Sequence, residues 1–172
     1  FNIAAVINLF PTFQHLYEGL SPSIQWLIQP GLRHFASLLT GVVPVSWKRY
    51  LVREYSTGLG TAAQDVVAAG FNRYSVLHNV LYMAKTEGQD ICELEPELIE
   101  PLQSTHFLYG TADQYTPMEQ INHFRVTYPN ANVIMADDSC KHAFCVCPEQ
   151  SKQVAETTAS CIQETCSLNY SP

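Results

Sequence analysis

The stretch Thr105-His106-Phe107-Leu108-Tyr109-Gly110-Thr111-Ala112-Asp113-Gln114-Tyr115-Thr116-Pro117-Met118-Glu119 decides the fold. Its apolar, aromatic opening stops at Gly110, which predicts a strand over 105–109 closed by a loop. Thr116-Pro117-Met118-Glu119 reads as a helix start, with a Thr cap, Pro at the first helical position and Glu three residues after the cap. Met118, Ile121, Phe124 and Tyr128 continue as one apolar stripe at helical spacing, and Pro129-Asn130 ends it. Asn132-Val133-Ile134-Met135-Ala136 is the next strand, followed by a polar loop holding Asp137, Asp138 and His142. A last helix opens near Pro148 and carries Val154, Thr158, Cys161 and Thr165 on one face. Strand, loop and helix, repeated in that order, predict a right-handed parallel α/β unit.

Upstream, Ile3-Ala4-Ala5-Val6-Ile7-Asn8-Leu9-Phe10 is a continuous apolar run that stops at Pro11. It reads as a parallel-sheet strand buried on both faces. Residues 12–59 mix Trp26, Phe35, Trp47 and Tyr50 with Arg33, Lys48, Arg49 and Arg53, and Pro22, Pro30, Gly31, Gly41 and Pro44 interrupt them. Short helices joined by breaks are expected there. Over 61–84, Val66, Val67, Phe71, Tyr74, Leu77, Leu81 and Ala84 recur at three and four, predicting one helix. The acidic stretch Glu87 to Glu100 reads as a solvated connector plus a short helix.

Composition bounds the function. A chain of 172 residues that is 47% hydrophobic and 15% charged suits one domain with a sizeable core. Nine Lys and Arg against sixteen Asp and Glu argue against a nucleic-acid binder. The net charge of −7 is uneven: residues 1–86 carry +3 and residues 87–172 carry −10. No run reaches the ~18–20 uninterrupted apolar residues of a membrane span. The best candidate, Ile24 to Val45, is broken by Gln25, Gln29, Pro30, Arg33 and His34. The chain opens on Phe1-Asn2-Ile3 without an initiator Met or a basic leader, and its immediate entry into a buried-type strand suggests truncation. The six cysteines crowd toward the C-terminus without framework spacing and read as reduced thiols of a cytosol-facing protein.

Two loops qualify for chemistry, because functional groups of parallel α/β sheets sit at the carboxyl ends of strands. One places Asp113 after its strand, and the other places His142 after the next, 29 residues on. Neighbouring parallel strands lie ~4.8 Å apart, so the two side chains can meet. An Asp that accepts the Nδ1 proton leaves Nε2 free as a general base. That is the acid–base half of a Ser…Asp…His relay, in the chain order of α/β hydrolases. No Gly-x-Ser-x-Gly occurs; Gly19-Leu20-Ser21-Pro22-Ser23 fails at its last position. The set Cys140-x-His142-x-x-Cys145-x-Cys147 is a poor tetrahedral template for zinc, so no metal is assigned and no cofactor is implied. His15, His34, His78, His106 and His123 receive no role. Asp137 and Asp138 read first as loop caps.

These residues resemble the lipid-droplet-associated hydrolases of the α/β-hydrolase superfamily. The likeness rests on Leu9-Phe10-Pro11-Thr12, on Ser21-Pro22 with the aromatic, basic segment after it, on Phe107 to Pro117, and on Lys141-His142-Ala143-Phe144. It covers Ala4 to about Glu164, with Lys141 standing where the family has proline. The resemblance implies the C-terminal part of an α/β-hydrolase fold, holding sheet strands six to eight and a helical cap. By it, Asp113 is the triad acid and His142 the triad base, and the serine and oxyanion donors lie upstream. Residues 1–12 would be a core strand, 13–90 the cap and its following helix, 91–166 the C-terminal core and 167–172 a disordered tail. It further implies a serine esterase of sterol esters or related neutral lipids, working in lipid storage on the cytosolic face of lipid droplets and the endoplasmic reticulum.

Trp26, Phe35, Leu38, Leu39 and Trp47, with Lys48 and Arg49 among them, form a segment suited to a lipid surface. An ordinary cap lining a substrate pocket would use the same aromatics. Three rivals stand beside the esterase. One is an epoxide hydrolase or haloalkane dehalogenase with an aspartate nucleophile, another a catalytically inactive lipid-surface adaptor, and the third a Cys/His metal module.

Overall fold

The computed structural model describes residues 5–55, 59–70, 73–100 and 105–169, and the chain is α/β. Three strands, β1 (Ile7–Leu9), β2 (His106–Tyr109) and β3 (Asn132–Met135), form a parallel sheet in that order. The helices are α1 (Leu16–Gly19), α2 (Pro22–Leu27), α3 (Pro30–Val42), α4 (Val45–Tyr55), α5 (Thr61–Gly70), α6 (Tyr74–Asp90), α7 (Pro96–Ile99), α8 (Met118–Thr127) and α9 (Pro148–Asn169). A 3-10 turn covers Phe144–Val146. Contacts divide the chain into two units, one of residues 1–19 with 91–172 and the other of residues 20–90.

The first unit is built on β2. Successive strand side chains point to opposite faces, and here both faces are covered. Phe107 and Tyr109 pack with Ile99, Ile121, Phe124 and Tyr128. Leu108 joins Phe10, Ala136, Cys140 and Val154. The apolar stripe on α8 thus fills one face, and Val154 of α9 closes the other. His106, given no role from sequence, ties three elements together. Asn132 Nδ2 donates to its Nδ1 at 2.7 Å, and its Nε2 meets Thr165 Oγ1 at 2.9 Å.

Four sequence expectations need correcting. β1 is not buried on both faces: Val6 and Leu9 are exposed, and among the described residues β1 pairs only with β2. Residues 1–4 of that expected strand lie outside the described residues. The helix expected over 61–84 is two helices, and α6 runs on through Glu87 to Asp90. Thr116 does not cap α8; Pro117 holds that position without a side-chain bond. Thr116 is buried instead, its hydroxyl 3.3 Å from Thr12 Oγ1 and 3.4 Å from the Pro11 carbonyl. A tertiary partner outcompeted the local one.

In the second unit α3 packs on α6, α4 on α5, and α2 touches both α3 and α6. The inward face of α3 carries Arg33 and Ser37, while Phe35, Leu38, Leu39 and Val42 are exposed. Among the described residues, no helix is long and apolar enough to cross a membrane.

Candidate active site

Two loops at the carboxyl ends of β2 and β3 meet as their spacing predicted. Asp113 follows β2 in a tight turn closed by its own N–H to the Gly110 carbonyl at 3.2 Å. Its carboxylate has two partners. Oδ1 accepts the Tyr115 N–H at 2.9 Å, and Oδ2 lies 3.0 Å from His142 Nδ1. The Asp113 side chain is fully buried, whereas His142 is 38% exposed. A buried carboxylate at this distance accepts a hydrogen bond from the imidazole Nδ1–H, which leaves Nε2 with its lone pair. Among the described residues Nε2 makes no hydrogen bond. The arrangement can accept a proton at Nε2 and stabilise the resulting imidazolium through Asp113.

Aromatic rings fix the imidazole. Tyr115 approaches it edge-on with centroids 4.8 Å apart, and Phe10 does so at 6.5 Å. Phe10 also packs on Phe144 at 4.9 Å. Its φ of +51° is a left-handed conformation that costs a bulky residue of order 1–3 kcal/mol. Sequence reading placed Phe10 at a strand end and Tyr115 in the acid loop but gave neither a part in holding His142. Only pairing of the loops reveals that.

Two glycines permit the loops to close. A Cβ on Gly110 would lie 2.5 Å from Phe10 Cε1 and 2.6 Å from the Cys140 carbonyl oxygen. One on Gly19 would lie 2.8 Å from Tyr115 Cα. Asp137 and Asp138 are spent on the loop itself. Asp137 Oδ1 accepts the Ser139 N–H at 3.0 Å and its hydroxyl at 2.7 Å, and Thr111 donates to Asp138 at 3.0 Å. Those two Ser139 bonds, the backbone one first, hold the Asp137 carboxyl below the usual range.

The cysteines around His142 point different ways, and all six in the chain are free thiols. Cys140 is buried, and its thiol approaches Gln153 Oε1 at 3.5 Å. Cys145 is exposed, and Cys147 reaches Glu149 at 3.3 Å.

The expected lipid-contact residues lie in the second unit. Trp26 and Trp47 are 61% and 67% exposed, and Phe35, Leu38 and Leu39 are exposed with them. Arg49 is exposed and 3.6 Å from Asp65. Lys48 corrects the expectation. It is only 8% exposed, and its Nζ donates to the Thr40 carbonyl, so its charge closes the break between α3 and α4 rather than reaching outward.

A family model described as lipid-droplet associated hydrolase matches residues 1–145. The chain belongs to this family. A lipid droplet-associated hydrolase of Dictyostelium discoideum is 32% identical over 90% of this chain and 51% of its own length. One from Gallus gallus is 26% identical over 87% of this chain and 47% of its own. The chain therefore spans about half the length of the curated relatives it matches. No solved structure matches it. The matched region includes both Asp113 and His142.

Proposed function

We propose that Asp113 and His142 are the acid and base of a serine esterase relay that cleaves lipid esters, and that the sheet unit is the C-terminal part of an α/β-hydrolase fold. The observation that carries this reading is the 3.0 Å approach of His142 Nδ1 to the buried carboxylate of Asp113, between consecutive parallel strands. The serine and oxyanion donors come from chain outside these 172 residues, in keeping with the half-length match to the relatives. His142 Nε2 takes the serine hydroxyl proton as the oxygen attacks the ester carbonyl. It then hands that proton to the departing alkoxide, while Asp113 stabilises the imidazolium throughout. Water, deprotonated by the same imidazole, releases the acid and restores the serine.

The substrate is a sterol ester or related neutral lipid, met at the surface of a lipid droplet or the endoplasmic reticulum on its cytosolic side. Support comes from the names of both relatives and from the apolar residues that α2, α3 and α4 leave exposed, Trp26, Phe35, Leu38, Leu39 and Trp47, with Arg49 nearby. Interfacial helices bury such a face among acyl chains. A fluorophosphonate probe applied to the longer protein containing this chain tests the relay. Labelling should occur and should vanish in His142→Ala. Undiminished labelling of the variant removes His142 from the mechanism. No labelling of the wild type favours an aspartate nucleophile or an inactive lipid-surface adaptor.

A further inference from the structure

A second polar cluster, remote in sequence from Asp113 and His142, lies where α3 packs on α6. Arg33 is 7% exposed, yet no carboxylate among the described residues forms an ion pair with it. Its Nε donates to His78 Nε2 at 3.3 Å, and among the described residues its buried Nη1 has no hydrogen-bond partner. The guanidinium also lies 5.0 Å from the centre of the Tyr82 ring. An aromatic face and an imidazole do not supply a negative charge. Buried cations are ordinarily paired, because an unpaired one carries its full desolvation penalty.

Beside Arg33 stands His34. Its Nδ1 is 2.6 Å from the Tyr74 hydroxyl, and its ring lies 4.6 Å from that of His78. His34 is exposed, and its Nε2 makes no hydrogen bond among the described residues. On a helix, residues four apart share a face, so His34 is one turn before Leu38 and borders the exposed apolar face of α3. Arg33 is also the fourth residue of the 13-residue α3, near the positive end of its dipole. His34 thus sets a donor at the border of that apolar face, next in sequence to the buried charge of Arg33.

We infer that Arg33 and His34, with Tyr74 and His78 supporting them, form a binding site for a phosphate oxyanion, carried by an anionic lipid or free in solution. The site rests on the proposed lipid-surface reading for its setting, though not on the esterase chemistry. The oxyanion supplies the charge that the guanidinium lacks and accepts from the free donors of Arg33 and His34. Fork-shaped guanidinium groups suit phosphate oxygens better than a point charge does.

Vesicle flotation of the whole chain tests it, comparing phosphatidylcholine alone with phosphatidylcholine containing phosphatidic acid. The wild type should bind the phosphatidic acid vesicles more tightly, and Arg33→Gln should weaken that binding about tenfold, the worth of one charge-assisted contact. His34→Gln should weaken it too, and because His34 is exposed this second variant keeps its fold. Lys152→Gln, which removes an exposed charge on α9 outside both the cluster and the apolar segment, should fall far less. Displacement by inorganic phosphate assigns the free ion as a ligand, and binding that survives excess phosphate assigns the lipid-borne group; either upholds the site. Equal binding of the wild type to both vesicles overturns the oxyanion site while leaving the lipid surface standing. Losses in Lys152→Gln as large as in the two cluster variants also overturn it. A wild type that floats with neither vesicle overturns the surface reading and this site together.

Discussion

His142 meets Asp113 across two consecutive strand ends, its Nδ1 3.0 Å from a carboxylate oxygen whose twin is held by the Tyr115 N–H at 2.9 Å. The carboxylate cannot turn away without losing a backbone bond, so the tautomer of His142 is set by a group that is itself fixed. Charge and orientation come from one contact.

Asp113→Asn should therefore leave the loop in place and reverse the tautomer. The amide can present its NH2 to Nδ1, which moves the ring proton to Nε2 and removes the base. Nitrogen NMR of His142 in this chain reads the change directly. Under the proposed serine relay, turnover of the longer protein should fall about ten-thousand-fold, as when the acid of such a relay becomes an amide. An unchanged tautomer would sink this prediction.

Gly110→Ala should destabilise the sheet unit by about 1–3 kcal/mol, the usual cost of overpacking. The new methyl would lie 2.6 Å from the Cys140 carbonyl, which is backbone and yields little. Chemical denaturation checks the loss, and the His142 ring signals should shift with it because Phe10 is the other atom group displaced.

Cys140 and Cys145 flank the same histidine and should react very differently. Burial pushes the Cys140 thiol up, and the charge of Asp137 adds to it. Cys145 is exposed. Iodoacetamide at neutral pH should modify Cys145 long before Cys140, as read by mass spectrometry, and denaturant should erase the difference. Equal rates in the folded chain would show that Cys140 is not sealed.

Asp137 should contribute to acid sensitivity. Its folded pKa lies below the ordinary 3.8, through the backbone and then the hydroxyl of Ser139. A depressed carboxylate stabilises the fold above its unfolded pKa, and that stability is lost as pH falls through the folded value. Ser139→Ala keeps the backbone bond and removes the hydroxyl, so the carboxyl should titrate at a higher pH by carbon NMR while remaining below 3.8.

Much of the sheet unit was legible in the sequence. Tyr109 before Gly110, the strand at Asn132 and the helix beginning at Pro148 all come from local periodicity and turn chemistry, and each appears where those rules place it. The Thr116 cap failed because Pro11 and Thr12, over a hundred residues away, offered its hydroxyl other partners. Lys48, read with Arg49 as part of a lipid-facing segment, is buried, and so is Arg33.

By itself the sequence determined the order of strands and helices and set an acid and a histidine at consecutive strand ends, because alternation, helical period and proline or glycine breaks act over a few residues. Only the tertiary structure decided that Asp113 and His142 touch, that Phe10 and Tyr115 brace the ring, and that α3 turns Arg33 inward and Phe35 outward. Periodicity shows that a helix has two faces. Which face is buried depends on the surface it packs against, and for α3 that surface is α6, which offers His78 and Tyr82 to a guanidinium.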